Sequence, residues 1–199
     1  MSIKELKREY IAAIATKLFL SKSISEITIK DIADAAEVGE ATVYRHFGSK
    51  RGTVIAAATL LQKRVYKNFY TLEGANGFLK ISRFYEGYRT IFVEHREYCK
   101  FINEFDVFIE TDGSGDLLEY SDGLDLFKSE FLAAYQEGVA DGSVRDVGDI
   151  ESFYYATTHA LLGLCKKLSS GKIVRQDESV SKEHELSALI EVILSYLKK

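Results

Sequence analysis

The chain of 199 residues contains no proline at all. Average usage of roughly 5% would place about ten in a chain of this length. Proline removes a backbone donor and collides with the preceding helical turn. A chain without it can run helix after helix, which fits an almost wholly helical protein and does not by itself identify one. Cysteine is scarce too, with Cys99 and Cys165 alone. Both fall inside helical patterns without C-x-x-C spacing, and read as small buried residues in a reducing compartment rather than as a disulfide. His95 and Cys99 stand at i, i+4, but no further ligand follows at a fitting interval, so no metal and no cofactor are expected. No apolar run reaches the roughly 18 residues that a membrane span needs. The opening MSIKELKREY is charged and amphipathic, unlike a signal peptide. A soluble, cytoplasmic protein with no membrane partner is expected. Nor is there a nucleophile elbow, a phosphate-cradling glycine loop, an H-E-x-x-H or a carboxylate pair with a partner base, so no enzyme is expected.

What is present is ordinary in bulk and uneven in placement. Hydrophobic residues make up 46% and charged residues 28%, as in soluble globular proteins. The net charge of −4 argues against a nucleic-acid partner until it is divided. Residues 1–51 hold nine Lys and Arg against seven Asp and Glu, and the rest is acidic. A mildly basic head on an acidic body suits a protein that meets phosphates only with its head.

Apolar residues recur at alternating intervals of three and four along the whole chain, which predicts an all-α fold of about nine helices. In the first helix, residues 3 to about 21, the predicted stripe is Ile3, Leu6, Tyr10, Ile14 and Leu18, widened by Ile11, Ala15 and Phe19. Lys4, Lys7 and Arg8 lie off it. A fourth helix runs from Lys50 to Tyr70, with Val54, Ala57, Leu61 and Val65 inward. Glu73–Gly77 is the clearest break. Phe78, Ile81, Tyr85, Tyr88 and Phe92 mark the fifth helix; Tyr98, Phe101, Phe105 and Phe108 mark the sixth. Residues 111–116 read as a loop. Leu124, Phe127, Phe131 and Tyr135 mark the seventh helix. The eighth, about Asp149 to Ser169, carries Ile150, Phe153, Thr157, Leu161, Leu164 and Leu168, with Tyr155, Leu162 and Gly163 beside them. The ninth, about Ser181 to Leu197, carries Leu186, Leu189, Ile190, Ile193 and Leu197, while Val192 and Tyr196 lie off its stripe. Helices apolar on two sides need a second partner.

The most informative stretch is Thr28 to Lys50, TIKDIADAAEVGEATVYRHFGSK. Thr28 with Asp31 has the spacing of a helix cap whose side chains reach free backbone N–H groups. Ile29, Ile32, Ala33 and Ala36 then form one apolar face. Gly39 caps a second helix, with Val38 and Val43 placed as a hydrophobic staple. Val43 and Phe47 face inward. Thr42, Arg45 and His46 occupy the opposite face, with Tyr44 at its edge. A helix propped on one face and polar on the other suits the DNA major groove.

The pattern T-x-x-x-I-A-x-A-A-x-V-x-x-A-T-V-Y-R-H-F-x-S-K resembles the signature of the TetR family of bacterial transcription regulators. The resemblance covers about the first quarter of the chain. It implies a helix-turn-helix DNA-binding domain at 1–49 and an effector-binding and dimerisation domain at 50–199. It implies a homodimer through the last two helices, bound to a double-stranded palindromic operator with its two recognition helices about 34–36 Å apart. DNA contacts are expected from Thr28, Glu40, Ala41, Thr42, Tyr44, Arg45, His46 and Lys50. Thr28, Tyr44, His46 and Lys50 would hold phosphates, and Thr42, Arg45 and Glu40 would meet base edges. A small, partly apolar effector is expected among helices five to eight, near Phe84, Tyr88, Phe92, Phe105, Tyr155 and His159. Its binding would release a repressor from its operator. The chain departs from the family at Glu37, where glycine is usual, and at Gly39, where Ser or Thr is usual. Glu37 and Glu40 bring negative charge near the phosphates. The alternative is therefore a helical small-molecule-binding dimer of the same fold that has lost DNA binding.

Overall fold

The computed structural model describes residues 2–69, 72–111, 117–170 and 180–199. These residues form α1 (Ile3–Ser21), α2 (Ile29–Ala35), α3 (Glu40–Phe47), α4 (Lys50–Phe69), α5 (Gly77–Glu94), α6 (Arg96–Thr111), α7 (Leu118–Asp141), α8 (Ile150–Ser169) and α9 (Lys182–Leu197). The all-α fold follows the sequence pattern closely. Tyr70, expected at the end of the fourth helix, and residues 112–116 of the expected loop lie outside the described residues.

Two compact units make up the chain, Met1–Arg64 with Lys100–Gly123, and Val65–Cys99 with Leu124–Lys199. They do not divide at the expected 49/50, because most of α6 and α4 as far as Arg64 pack with the head. The Arg51 guanidinium donates to the Ile109 carbonyl at 3.2 Å. The Ile24 N–H donates to the Glu104 carboxylate at 2.8 Å. The Phe19 and Phe101 rings lie 6.3 Å apart.

In the first unit, α1 opens with a capping box. Ser2 Oγ accepts the Glu5 N–H at 3.2 Å, and the Glu5 carboxylate accepts the Ser2 N–H at 2.6 Å. The buried face of α1 is Ile11, Ala12, Ala15, Thr16 and Phe19. The stripe expected to be central is not the core: Ile3, Leu6 and Tyr10 are 86%, 49% and 50% exposed. The apolar repeat of α1 supports two adjacent stripes. Packing takes the one bearing Ala12 and Ala15, whose small side chains let a neighbouring helix approach closely. At the start of α4, a Cβ on Gly52 would lie 2.0 Å from the Phe47 carbonyl oxygen, so the end of α3 rests directly on α4 backbone.

In the second unit, α9 packs on α5 and α8. The first turn of α5 abuts the last turns of α7. A Cβ on Gly77 would lie 2.1 Å from the Gly138 nitrogen, and one on Gly138 would lie 2.3 Å from Val144 Cγ2. The free N–H groups of α5 there are satisfied across the crossing. Gly77 N–H donates to the Asp141 carboxylate at 2.9 Å and Phe78 N–H to Ser143 Oγ at 3.1 Å. Seven residues further along α5, and seven back along α7, the Phe84 and Phe131 rings meet at 4.9 Å, so the two helices run antiparallel. Phe127 and Tyr154 complete this interior, 4.7 and 6.1 Å from Phe84. Thr157 Oγ1 donates to the Phe153 carbonyl at 2.8 Å, so in the 2.8 Å contact between the Tyr85 hydroxyl and Thr157, Tyr85 is the donor.

Candidate nucleic-acid interface

The two short helices of the head are fixed by local chemistry at each end. At the start of α2, Thr28 Oγ1 accepts the Asp31 N–H at 3.1 Å, and the Thr28 N–H donates to the Asp31 carboxylate at 2.8 Å. The Thr28 hydroxyl proton is donated to the same carboxylate at 2.6 Å. Those bonds hold the Asp31 carboxyl below its ordinary value, the Thr28 hydroxyl contributing most. Thr28 is thus exposed but committed to the cap. The turn between the helices places Glu37 at φ 51, the left-handed region, which costs a residue with a Cβ about 1–2 kcal/mol. Gly39 caps α3 with no side-chain bond, and Gly48 (φ 74) ends it, its N–H bonded to the Tyr44 carbonyl at 2.7 Å.

Within α3, Val43 is fully buried, and Glu40, Ala41, Tyr44 and Arg45 are exposed. Thr42 is half-buried, 3.5 Å from an Arg45 guanidinium nitrogen. The structure therefore brings Glu40, Ala41, Thr42, Tyr44 and Arg45 onto one outward face of a single eight-residue helix. His46 departs from the expectation. It is half-buried, and its Nδ1 is enclosed without a hydrogen-bond partner. Burial first, then the charges of Arg45, Lys4, Lys7 and Arg8, lower its pKa below the ordinary 6.5. The imidazole is turned back toward the cations of α1. Arg8 among these sits over the Phe47 ring, 5.3 Å from its centroid. Lys50 is half-buried at the start of α4, its ammonium donating to the Ser25 carbonyl at 3.4 Å, and burial lowers its pKa.

The aromatic residues expected around an effector are not gathered in one place. Phe84, Tyr88 and Phe92 are buried on α5. Phe105 is buried in the first unit, where its ring lies 5.2 Å from Tyr120. Tyr155 is 44% exposed, and His159 beside it is exposed, their rings 5.7 Å apart. The reason lies in the rotation of α8. Its buried face runs through Tyr154, Thr158, Leu161, Cys165 and Leu168. Tyr155 and His159 stand about 100° round from that line. Tyr155 instead takes the Lys128 ammonium over its ring at 4.8 Å, and Lys128 pairs with Glu151 at 2.8 Å. Sequence reading missed Phe127, Phe131 and Tyr154 as neighbours of Phe84; the first two stood in the α7 stripe and were the available signal. Burial pushes the Tyr154 phenol up to about 12. Cys99 and Cys165 are buried free thiols, as expected. His95 stays largely outside, 3.7 Å from Glu97, while Cys99 is buried.

Comparison with known proteins agrees with this arrangement. The family described as "Bacterial regulatory proteins, tetR family" matches residues 11–64, which span α2, α3 and most of α1 and α4. The HTH-type transcriptional regulator AlkX of Mycobacterium tuberculosis is 31% identical over 91 residues, 46% of this chain. The match spans 43% of that relative's length, less than half of it. A solved structure from Mesorhizobium loti, described as a TetR-family transcriptional regulator, covers 100% of both chains with a TM-score of 0.73 at 16% identity. A transcriptional regulator from Saccharomonospora viridis in complex with choline covers 96% of this chain and 97% of its own, with a TM-score of 0.73 at 20% identity. No described helix is long and apolar enough to cross a membrane. Residues 11–64 therefore match the tetR family of bacterial regulatory proteins, and the chain as a whole shares its fold with solved regulators of that description.

Proposed function

We propose that the chain is a homodimeric, ligand-responsive regulator of transcription that represses by binding a palindromic operator through α3. The observation that carries this reading is the division of α3, with Val43 fully buried behind an outward face of Glu40, Ala41, Thr42, Tyr44 and Arg45. Arg45 and Thr42 are assigned to base edges and Tyr44 to the backbone. Glu40 accepts from a cytosine amino group. Lys50 and His46 hold phosphates after small movements away from Ser25 and α1, and Thr28 acts as the cap that orients α2. The dimer is assigned to α8 and α9. Their exposed faces carry Tyr155, Val192 and Tyr196 beside the small residues Ala156, Ala160, Gly163 and Ala188. Together these offer the apolar, closely approachable surface that a helix–helix interface needs.

The effector is assigned to the aromatic interior of the second unit around Phe84, Tyr88, Phe127, Phe131 and Tyr154. Tyr155, His159 and Phe105 are dropped from it. Electron-rich rings favour a small, partly apolar molecule, and a quaternary ammonium would be held by cation–π contacts. A coupling of about 1–3 kcal/mol between the two sites changes operator affinity roughly 5- to 150-fold.

Selection of bound duplexes from random DNA at low and moderate salt tests this reading. Enrichment of an inverted repeat, with affinity falling steeply as salt rises, is the expected result. Absence of enrichment at either salt overturns it and leaves a helical binding protein that Glu37 and Glu40 keep off DNA.

A further inference from the structure

A cleft of about 350 Å³ opens within the first unit on the inner side of the recognition helix. Its volume lies at the lower end of the range of about 300–1,000 Å³ typical of small-ligand sites. Phe47, Ile55 and Ala56 give it an apolar floor, and Arg8, His46, Arg51 and Thr59 give it polar walls. Arg8 is held by its stacking on Phe47, and has no carboxylate partner among the described residues. The enclosed, unpartnered His46 Nδ1 is one of the cleft's polar groups. Leaving an enclosed polar atom without a partner is unfavourable, and a bound group that pairs with it relieves that cost. The acid at the rim, Glu119, is already paired with Lys63 at 2.7 Å, so the cleft keeps a positive balance. Gly52 adds no side chain to the lining.

We infer that this cleft is a second small-molecule site, taking an organic anion whose carboxylate, sulfonate or phosphate meets Arg8 and His46 while an apolar, ring-bearing body lies on Phe47, Ile55 and Ala56. A DNA phosphate makes less use of it, because a phosphodiester has nothing to place on that floor. Since Phe47 and His46 end α3, an occupant would fix the recognition helix from behind. That consequence rests on the DNA-binding reading, whereas the site itself does not.

The test uses 1-anilinonaphthalene-8-sulfonate, an aromatic sulfonate whose fluorescence rises in apolar surroundings, with the full chain and no DNA. The expected result is a saturable rise, weakened about tenfold or more in Arg8→Gln, which removes a charge-assisted bond, and abolished in Ala56→Phe, which fills the floor. The His46 ring, followed by NMR as pH is varied, should titrate at higher pH in the loaded protein, because an anion offsets the cations of Arg45, Lys4, Lys7, Arg8 and Arg51. Equal fluorescence in wild type and Arg8→Gln, or an unmoved His46 titration, overturns the inference. Arg8→Gln, on an exposed position of α1, keeps the test decisive should Ala56→Phe fail to fold. A chain that binds the sulfonate but enriches no DNA would retain this site and lose only the proposed function.

Discussion

Tyr44 and Tyr85 are the same residue put to opposite uses. Tyr44 is 49% exposed on an eight-residue helix, whereas Tyr85 is fully buried and hydrogen-bonded to Thr157. On the proposed reading, the head works through what it leaves uncovered, and the second unit through what it covers. A short helix has room for one buried line of side chains, here Val43, so the rest of α3 must face out. The long helices of the second unit carry several apolar lines, and tertiary packing decides which of them is covered. Stability should therefore reside mainly in one region and recognition in the other.

The sharpest test of that contrast is Phe131→Ala. Phe131 is fully buried between Phe84 and Tyr154, and its loss should cost about 3–5 kcal/mol, measured by urea unfolding. A loss below about 1 kcal/mol would show that the second unit is loosely packed. Arg45→Ala should do the reverse. On the proposed reading it costs about 1–3 kcal/mol of operator affinity and relaxes preference at one base pair. The urea midpoint should stay within about 0.5 kcal/mol of wild type. Binding titrations against single-base operator variants check it.

A smaller effect is expected at Thr28. Replacing it by alanine should cost roughly 1 kcal/mol through the lost cap. It should also change the acid response. The Asp31 carboxyl lies below its ordinary 3.8 in the folded chain, so its bonds stabilise fully above that pH and are lost as pH falls through the folded value. The acid arm of unfolding should be shallower in Thr28→Ala, as calorimetry across pH 2–6 would record. Smallest is Glu37→Gly, which relieves the left-handed strain at φ 51 and should add up to about 1 kcal/mol of stability. An unchanged melting temperature would place the cost of that turn elsewhere.

The same contrast explains what was legible in the sequence. The α2–turn–α3 element could be read because its signals are local: Thr28 to Asp31, Gly39 before Glu40, Val43 between polar neighbours. At Glu37, where the resemblance would put glycine, the backbone is left-handed. The faces of α1 and α8 could not be read the same way. In α1 two apolar lines run side by side, and nothing within nineteen residues says that Ile11 is covered and Leu6 is not. In α8, adjacent tyrosines compete for one place, and Tyr154 takes it against Phe131, leaving Tyr155 to Lys128. The cleft behind α3 depends on residues from α1, α3, α4 and α7 meeting, which no spacing along the chain announces.

The contact of Gly77 with Gly138 has a mechanical consequence. With hydrogen alone at both positions, α5 and α7 touch there backbone to backbone and have no slack to lose. The glycine pair is a fulcrum. Any widening between these two helices must open like shears, growing with distance from the pivot, and about 10 Å along each blade it first reaches Phe84 and Phe131. An aromatic guest that parts those two rings would therefore swing the far ends of both helices while leaving the pivot still.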